Sequence, residues 1–374
     1  MRPSPNGSRI TSSAMPRPAR SMFGENRAVL KRTLIALVLS LALGLAGLYL
    51  VVGEAVFRPA TYRVQNVSVL VVILIVVAFL AKWFSPAVRI GLLCRGQKIQ
   101  VPYRYALLVH LSAMLVAAFT PNNTGVAPAT AAALSRLGVP LGRGIGVVVQ
   151  VFVLDLIFFS WTVPAGVGYL LYSNKLELPP GVRALAFAIA ALAVASAVVL
   201  TRYPRLAVRF ILTAAKWPLL RRFASRLRRV ARDYYRSARA FLKMPASYWL
   251  ALNLVTAVGW FSGFVLFWLL LNLYGVEADL LATLAILSSI TLVSHVIPTP
   301  GASGFVESAV GFSIGANSGG HAAAALLIWR LASFYVIFLL GPPAAWLLYL
   351  SRPAAAAETA THGASPAHGS REPL

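Results

Sequence analysis

Six long apolar runs, at about 33–53, 66–84, 145–172, 182–201, 247–274 and 321–350, leave this chain few ways to fold. Crossing a hydrocarbon layer of ~30 Å takes roughly 20 helical residues, and each run is that long and nearly free of charge. Trp or Tyr stands near many of the ends (Tyr49, Trp83, Tyr169, Tyr172, Trp249, Tyr274, Trp346, Tyr349), as in an interfacial aromatic belt. The chain is 59% hydrophobic and 12% charged, too little charge to cover the surface of a soluble fold of this size. The expected fold class is therefore all-α and polytopic. The first run follows a basic leader, as a secretory signal does. It extends from Thr33 to about Val52, too long for a signal core, and shows no A-x-A cleavage pattern, so it reads as an uncleaved first span.

The net charge is +24, which in a soluble protein would suggest a nucleic-acid partner. Here Lys and Arg cluster between the apolar runs, as in cytoplasmic loops facing anionic lipid, so membrane lipids and not nucleic acid are the expected partners. The basic groups are the leader (Arg17, Arg20, Arg27, Lys31, Arg32), an 82–104 loop (Lys82, Arg89, Arg95, Lys98, Arg104), the pair Arg136 and Arg143, and the 202–243 region. The other loops hold Glu54, Glu177, Glu277 and Asp279. This pattern predicts an inner-membrane protein with both termini in the cytoplasm. A single cysteine, Cys94, and five histidines without ligand spacing give no disulfide, metal or cofactor site.

Two apolar segments are interrupted. The stretch 103–119 runs into Thr120-Pro121-Asn122-Asn123-Thr124-Gly125, then a short Ala-rich helix to about 137. The stretch 280–297 runs into Pro298-Thr299-Pro300-Gly301-Ala302-Ser303-Gly304, then a short helix to about Gly315. A dozen helical residues cover only ~18 Å, and broken backbone is tolerated in a bilayer only where protein or a wet cavity surrounds it. Keeping every basic group on one side requires two re-entrant hairpins, 103–137 and 280–319, entering from opposite sides. At an offset of 179 residues, Pro121 falls on Pro300, Gly125 on Gly304 and Pro164 on Pro343, the pattern of an inverted repeat with a site between broken helices.

The domain layout expected is a disordered basic tail (1–30), one transmembrane domain (31–352) with a basic cytoplasmic loop at 202–245, and a disordered tail (353–374). Within that loop, Phe223, Leu227, Val230, Tyr234 and Phe241 form a stripe opposite Arg222, Arg228, Arg229, Arg232 and Arg236. The expectation is a helix lying on an anionic leaflet, with docking of a cytoplasmic partner as the alternative. A homo-oligomer is equally compatible with the sequence.

The Pro298–Gly304 loop, with Glu307 after it and Arg330 in the next span, resembles the flippase-like family, the transmembrane region of lysylphosphatidylglycerol synthases and their stand-alone relatives. The Thr120-Pro121…Gly125 break, with Leu137-Gly138-Val139-Pro140-Leu141 and Arg143, is similar to that family's first hairpin. Many members carry a Gly-Glu pair there, whereas here Gly125 is followed by Val126, Ala127 and Pro128. The resemblance covers roughly residues 30–350. It implies a membrane domain that moves or binds lipids between leaflets. The synthases' aminoacyl transferase domain would not fit after the last span, so no synthase activity is expected.

Charge inside a span costs at least ~2.5–3.5 kcal/mol per group and tends to be paired or functional. Arg330, Glu307 and Asp155 are such residues, and under the 179-residue offset Asp155 falls about one turn from Arg330. Either Arg330 receives a lipid phosphate or carboxylate, with Glu307 or Asp155 holding it when unloaded or carrying a proton, or the charges form a static pair. Asn122, Asn123, Thr124 and Gly125 in the first break, and Pro298, Pro300, Gly301, Ser303 and Gly304 in the second, surround half-helix N-termini that suit an anion; capping alone explains the same residue types. His295, just before the second break, adds an imidazole to these groups. The leading expectation is a flippase driven by a lipid gradient or a coupled proton, there being no nucleotide-binding motif. A membrane-embedded enzyme with Glu307 or Asp155 as acid or base, and a partner subunit for a separately encoded enzyme, are the alternatives.

Overall fold

The computed structural model describes residues 68–120, 123–173, 203–214, 224–295, 297, 299, 301–314 and 319–350, with isolated positions elsewhere. All its regular structure is helical. In chain order the helices are α1 (Val69–Gly96), α2 (Tyr103–Ala118), α3 (Val126–Arg136), α4 (Leu141–Tyr172), α5 (Pro204–Ala214) and α6 (Ala224–Leu242). They continue as α7 (Ala246–Leu273), α8 (Leu280–Ser294), α9 (Phe305–Ile314), α10 (Gly319–Arg330) and α11 (Ile337–Leu350). A five-residue π-turn, Leu331–Tyr335, joins α10 to α11, so that His321–Leu348 runs as one apolar rod.

Among the described residues, four helices are long and apolar enough to cross a membrane: α1, α4, α7 and the α10–α11 rod. They match four of the six predicted spans. The other two, 33–53 and 182–201, lie outside the described residues apart from scattered helical positions, as do both terminal tails. Valines and leucines on the outer faces, such as Val69, Leu250, Leu254 and Leu339, are exposed, a surface that suits hydrocarbon rather than water.

Local sequence sets the helix ends. Pro102, Pro140 and Pro245 immediately precede α2, α4 and α7, where no intrahelical N–H is needed. Asp279 caps α8 by accepting from the Ala282 amide at 2.7 Å. At the end of α7, Gly275 (φ 75°) takes the left-handed conformation while the Val276 amide reaches back to the Leu271 carbonyl at 2.9 Å.

Two expectations need correction. The 82–104 segment is not a loop: α1 continues to Gly96, so Lys82 and Arg89 stand on a helix of 28 residues, about 42 Å long. Nothing between Trp83 and Gly96 is a strong helix breaker except Pro86, which a long helix accommodates by local adjustment. Trp83 is buried and donates to the Ala332 carbonyl at 3.0 Å, so it is a packing residue and not an interface anchor. Part of the α6 stripe is used inside the protein: Tyr234 and Phe241 are buried, and Phe241 packs on Trp249 with ring centroids 4.4 Å apart, while Leu227 and Val230 are half-buried and Phe223 lies outside the described residues. The arginines, Arg228, Arg229, Arg232 and Arg236 among them, remain exposed.

α6 seats on α4 through small residues. A Cβ on Gly142 would run into the Val230 carbonyl and Asp233, and one on Gly146 into Ser237. Gln150 completes the seat, donating to the Ser237 carbonyl and hydroxyl at 3.2 and 3.1 Å and accepting from Gln97 at 2.9 Å. Gly142→Ala should therefore destabilise the purified protein by about 1–3 kcal/mol through overpacking. Gly168→Ala, where the new Cβ meets nothing within 4 Å, should be neutral or stabilising by up to ~1 kcal/mol. Thermal unfolding midpoints in one detergent compare them; equal midpoints would contradict the seat.

Candidate functional site

The second break is closed by an ion pair. Glu307 occupies the first turn of α9 and reaches back to the Gly304 amide with Oε2 at 2.8 Å, half of a capping box. Its Oε1 accepts from Arg330 Nε at 2.7 Å, and both side chains are buried. Arg330 Nη2 adds the Gly301 carbonyl at 3.3 Å and the Ser303 hydroxyl at 3.4 Å. The π-turn after Arg330 lets Phe334 swing beneath the guanidinium, whose carbon lies 4.9 Å from the ring centroid. Gly301 has φ +59° and lies against the same ring, so a Cβ there would both strain the backbone and strike Phe334. Thr299 ties the loop by donating to the Ser303 carbonyl at 3.1 Å. Neither Arg330 nor Glu307 is left with a buried polar atom lacking a partner.

The first break is held by a hydroxyl. Thr120 Oγ1 donates to the Ala117 carbonyl at 2.9 Å and accepts from the Gly125 amide at 2.8 Å. Gly125 is packed so closely on Thr120 that a Cβ would approach that side chain to 2.8 Å. Asn123 adopts φ 52°, and its Oδ1 is buried without a hydrogen-bond partner. Thr124 is exposed and bonded elsewhere. Asn122, Pro298 and Pro300 lie outside the described residues.

Asp155 does not join Arg330. Its Oδ1 accepts from Arg89 Nη1 on α1 and from Trp260 Nε1 on α7, the latter at 2.8 Å. Arg89 is 8% exposed, has Thr256 Oγ1 at 3.5 Å, and keeps a buried Nε without a partner. This second pair lines a cavity of about 210 Å³ whose wall also includes Lys82, His110, Asn123 and His295. Lys82 makes no ion pair among the described residues; its ammonium lies 5.4 Å from the Trp83 ring centroid. His295 Nδ1 is 2.7 Å from the Thr291 carbonyl. A carbonyl only accepts, so Nδ1 carries a proton there and Nε2 is left to face other groups.

The cavity thus gathers Asn123 from the first break, His295 from the second, and charged residues from α1 and α4. Two cations face one carboxylate, a net positive seat in a largely apolar wall. Arg330 and Glu307 are not part of that wall. Of the expected site residues, the structure brings together Asn123, Asp155 and His295, and separately Arg330, Glu307, Gly301, Ser303 and Gly304. Sequence reasoning missed Lys82 and Arg89 by assigning them to a loop. Their spacing of seven puts them on one helical face, and that periodicity inside 69–96 was the available signal. Among the described residues, no cluster of three or more His, Cys, Asp or Glu is placed to hold a metal ion.

The family model described as the lysylphosphatidylglycerol synthase TM region matches residues 33–341. A UPF0104 membrane protein of Archaeoglobus fulgidus is 23% identical over 278 residues, covering 72% of this chain and 84% of its own.

Breaking one side of a buried pair leaves an uncompensated charge and costs ~3–5 kcal/mol. Arg330→Ala and Glu307→Ala should each lower the unfolding midpoint sharply, while the double variant should lose much less than the sum. Additive losses in that double-mutant cycle would mean the two side chains do not act as a staple.

Proposed function

The chain belongs to the lysylphosphatidylglycerol synthase transmembrane-region family, and from that premise we propose that it is a lipid transporter of the flippase type, passing an anionic or amphipathic lipid between leaflets of the inner membrane. The observation that carries this reading is the cavity to which both helix breaks contribute, with Lys82, Arg89 and Asp155 in its wall. In this reading α2–α3 and α8–α9 are re-entrant hairpins entering from opposite sides, related as an inverted repeat within one transmembrane domain spanning 31–352. Both termini and the α5–α6 region face the cytoplasm.

The headgroup sits in the cavity while the acyl chains stay in hydrocarbon. Charged walls stand in for the water that a headgroup loses on leaving the interface, which is the largest barrier to unassisted flipping. Lys82 and Arg89 are the residues that touch the headgroup. Arg330 and Glu307 position the second break, so that His295 at the end of α8 keeps its place. Movement is driven by the lipid gradient or by a coupled proton, without chemistry on the lipid.

Purified protein in proteoliposomes, with headgroup-labelled anionic and zwitterionic lipids in the inner leaflet, tests this. Protein-dependent movement is expected, slowed at least about tenfold by Arg89→Ala, a barrier change of ~1.4 kcal/mol. Glu307→Gln and Arg330→Ala should lose movement in step with lost thermal stability. No movement of any lipid by folded protein sinks the proposal, and a chemically altered labelled lipid would replace transport with catalysis.

A further inference from the structure

Two groups in the cavity wall keep an open site for a proton. His295 Nδ1 spends its hydrogen on the Thr291 carbonyl. In that tautomer Nε2 keeps a lone pair, and a proton added there makes both ring nitrogens donors. Nε2 has no hydrogen-bond partner among the described residues, and His295 is an exposed residue of the wall. Asp155 is the second group. Arg89 Nη1 and Trp260 Nε1 both bond its Oδ1, so Oδ2 accepts from nothing among the described residues and is not sealed from the cavity. Trp260 links the two groups: its N–H fixes Asp155 at 2.8 Å, and its ring meets the His295 imidazole edge to face with centroids 6.3 Å apart. Phe159 packs on the same imidazole at 6.1 Å. The charged and titratable groups that line the wall with His295 are Asp155 from α4, Lys82 and Arg89 from α1, and His110 from α2. From α3 and α7 come only the hydroxyls of Thr130 and Thr256 and the indole of Trp260. Glu307 of α9 is committed to Arg330 outside that wall.

We infer that each turnover carries a proton together with the lipid, and that His295 is its carrier. His295 Nε2 takes the proton from water on one side of the membrane, Asp155 Oδ2 supplies the counter-charge to the imidazolium across the cavity, and the proton leaves to water on the other side. No bond of the lipid changes. Histidines and carboxylates inside membrane proteins serve as proton relays of this kind. The charges of the wall give the coupling its sign. Lys82 and Arg89 against Asp155 leave one net positive charge around a neutral imidazole. A proton on His295 raises that charge and an anionic headgroup lowers it, so each makes the other easier to hold. Linkage makes the help mutual: the headgroup binds the protonated cavity better by the same factor by which the proton binds the loaded one better. Lipid and proton therefore cross in the same direction. The inference rests on the transport reading and chooses between its two driving forces.

The full chain in phosphatidylcholine vesicles carrying a trace of fluorescent phosphatidylglycerol tests this. Valinomycin with equal potassium on both sides holds the membrane potential at zero, a pH gradient is imposed, and bleaching of the outer leaflet reads the final distribution of the label. One proton per lipid should place about tenfold more label in the leaflet facing the alkaline side for each pH unit of gradient, beyond protein-free vesicles under the same gradient. His295→Gln should level that asymmetry, leaving the label evenly spread. The endpoint is an equilibrium distribution, so a slower variant is not mistaken for an uncoupled one. Thermal unfolding checks the fold of the variant, and His295→Asn takes its place where His295→Gln does not fold. An even distribution with the wild type overturns the inference and leaves lipid transport driven by its own gradient. Asymmetry that survives the loss of His295 also overturns it. No movement of the label by folded wild type, with or without the gradient, ends the transport reading and the inference with it.

Discussion

A backbone that breaks between apolar helices must find partners for its freed N–H and C=O groups within the protein, because hydrocarbon supplies none. The structure meets this demand with the Glu307–Arg330 pair. One carboxylate holds both a backbone amide of the break and a guanidinium from the last long helix, and that guanidinium returns to a carbonyl and a hydroxyl of the same loop. The π-turn is part of the device. Widening the helix by one residue at Leu331–Tyr335 brings Phe334 under Arg330 and against Gly301, while Trp83 takes the Ala332 carbonyl inside the widened turn. Loop, half-helix and rod are thereby one unit, and the position of His295 follows from it.

The two buried pairs divide the work differently. Arg330 and Glu307 are tied to backbone, which is what a group that fixes a loop requires. Arg89 and Asp155 are tied to side chains, Thr256 and Trp260 on α7, and Arg89 retains an unused donor. A staple saturates its hydrogen bonds, whereas a binding group holds some in reserve. By that criterion the lining of the cavity, more than the Pro298–Gly304 loop, keeps hydrogen-bonding groups unused.

Much of the fold was legible because hydrophobic length is a strong signal. The runs at 145–172 and 247–274 reappear as α4 and α7 within a few residues, and the Thr120–Gly125 and Pro298–Gly304 breaks interrupt helices where turn residues stand. Glu307 as the holder of Arg330 was one of two options in the sequence, and distance decided it. What stayed hidden depends on what packs against what. Charge density marked 82–104 as a loop, since composition cannot show that Arg89 has a carboxylate from α4 waiting beside it. The stripe on α6 was visible, but whether lipid or protein covers it is decided by Gly142 and Gly146, small residues whose meaning lies entirely in the helix that seats on them. Asp155 was matched to Arg330 by offset arithmetic, and a partner 66 residues away on α1 claims it instead.

The two breaks, 179 residues apart in the sequence, are held in different ways. Carried back by that offset, Glu307 falls on Pro128 and Arg330 on Val151. The first break therefore has neither member of the staple, and its turn is held by the Thr120 hydroxyl together with backbone bonds from the Asn123 and Val126 amides. Val151 lines the cavity, where an arginine would add a third cation and fill part of the space. Asn123 Oδ1 is buried without a donor, and the cations of the same cavity wall, Lys82 and Arg89, come from α1. The break without the pair leaves Asn123 Oδ1 unbonded, and the cations of α1 make the cavity wall net positive.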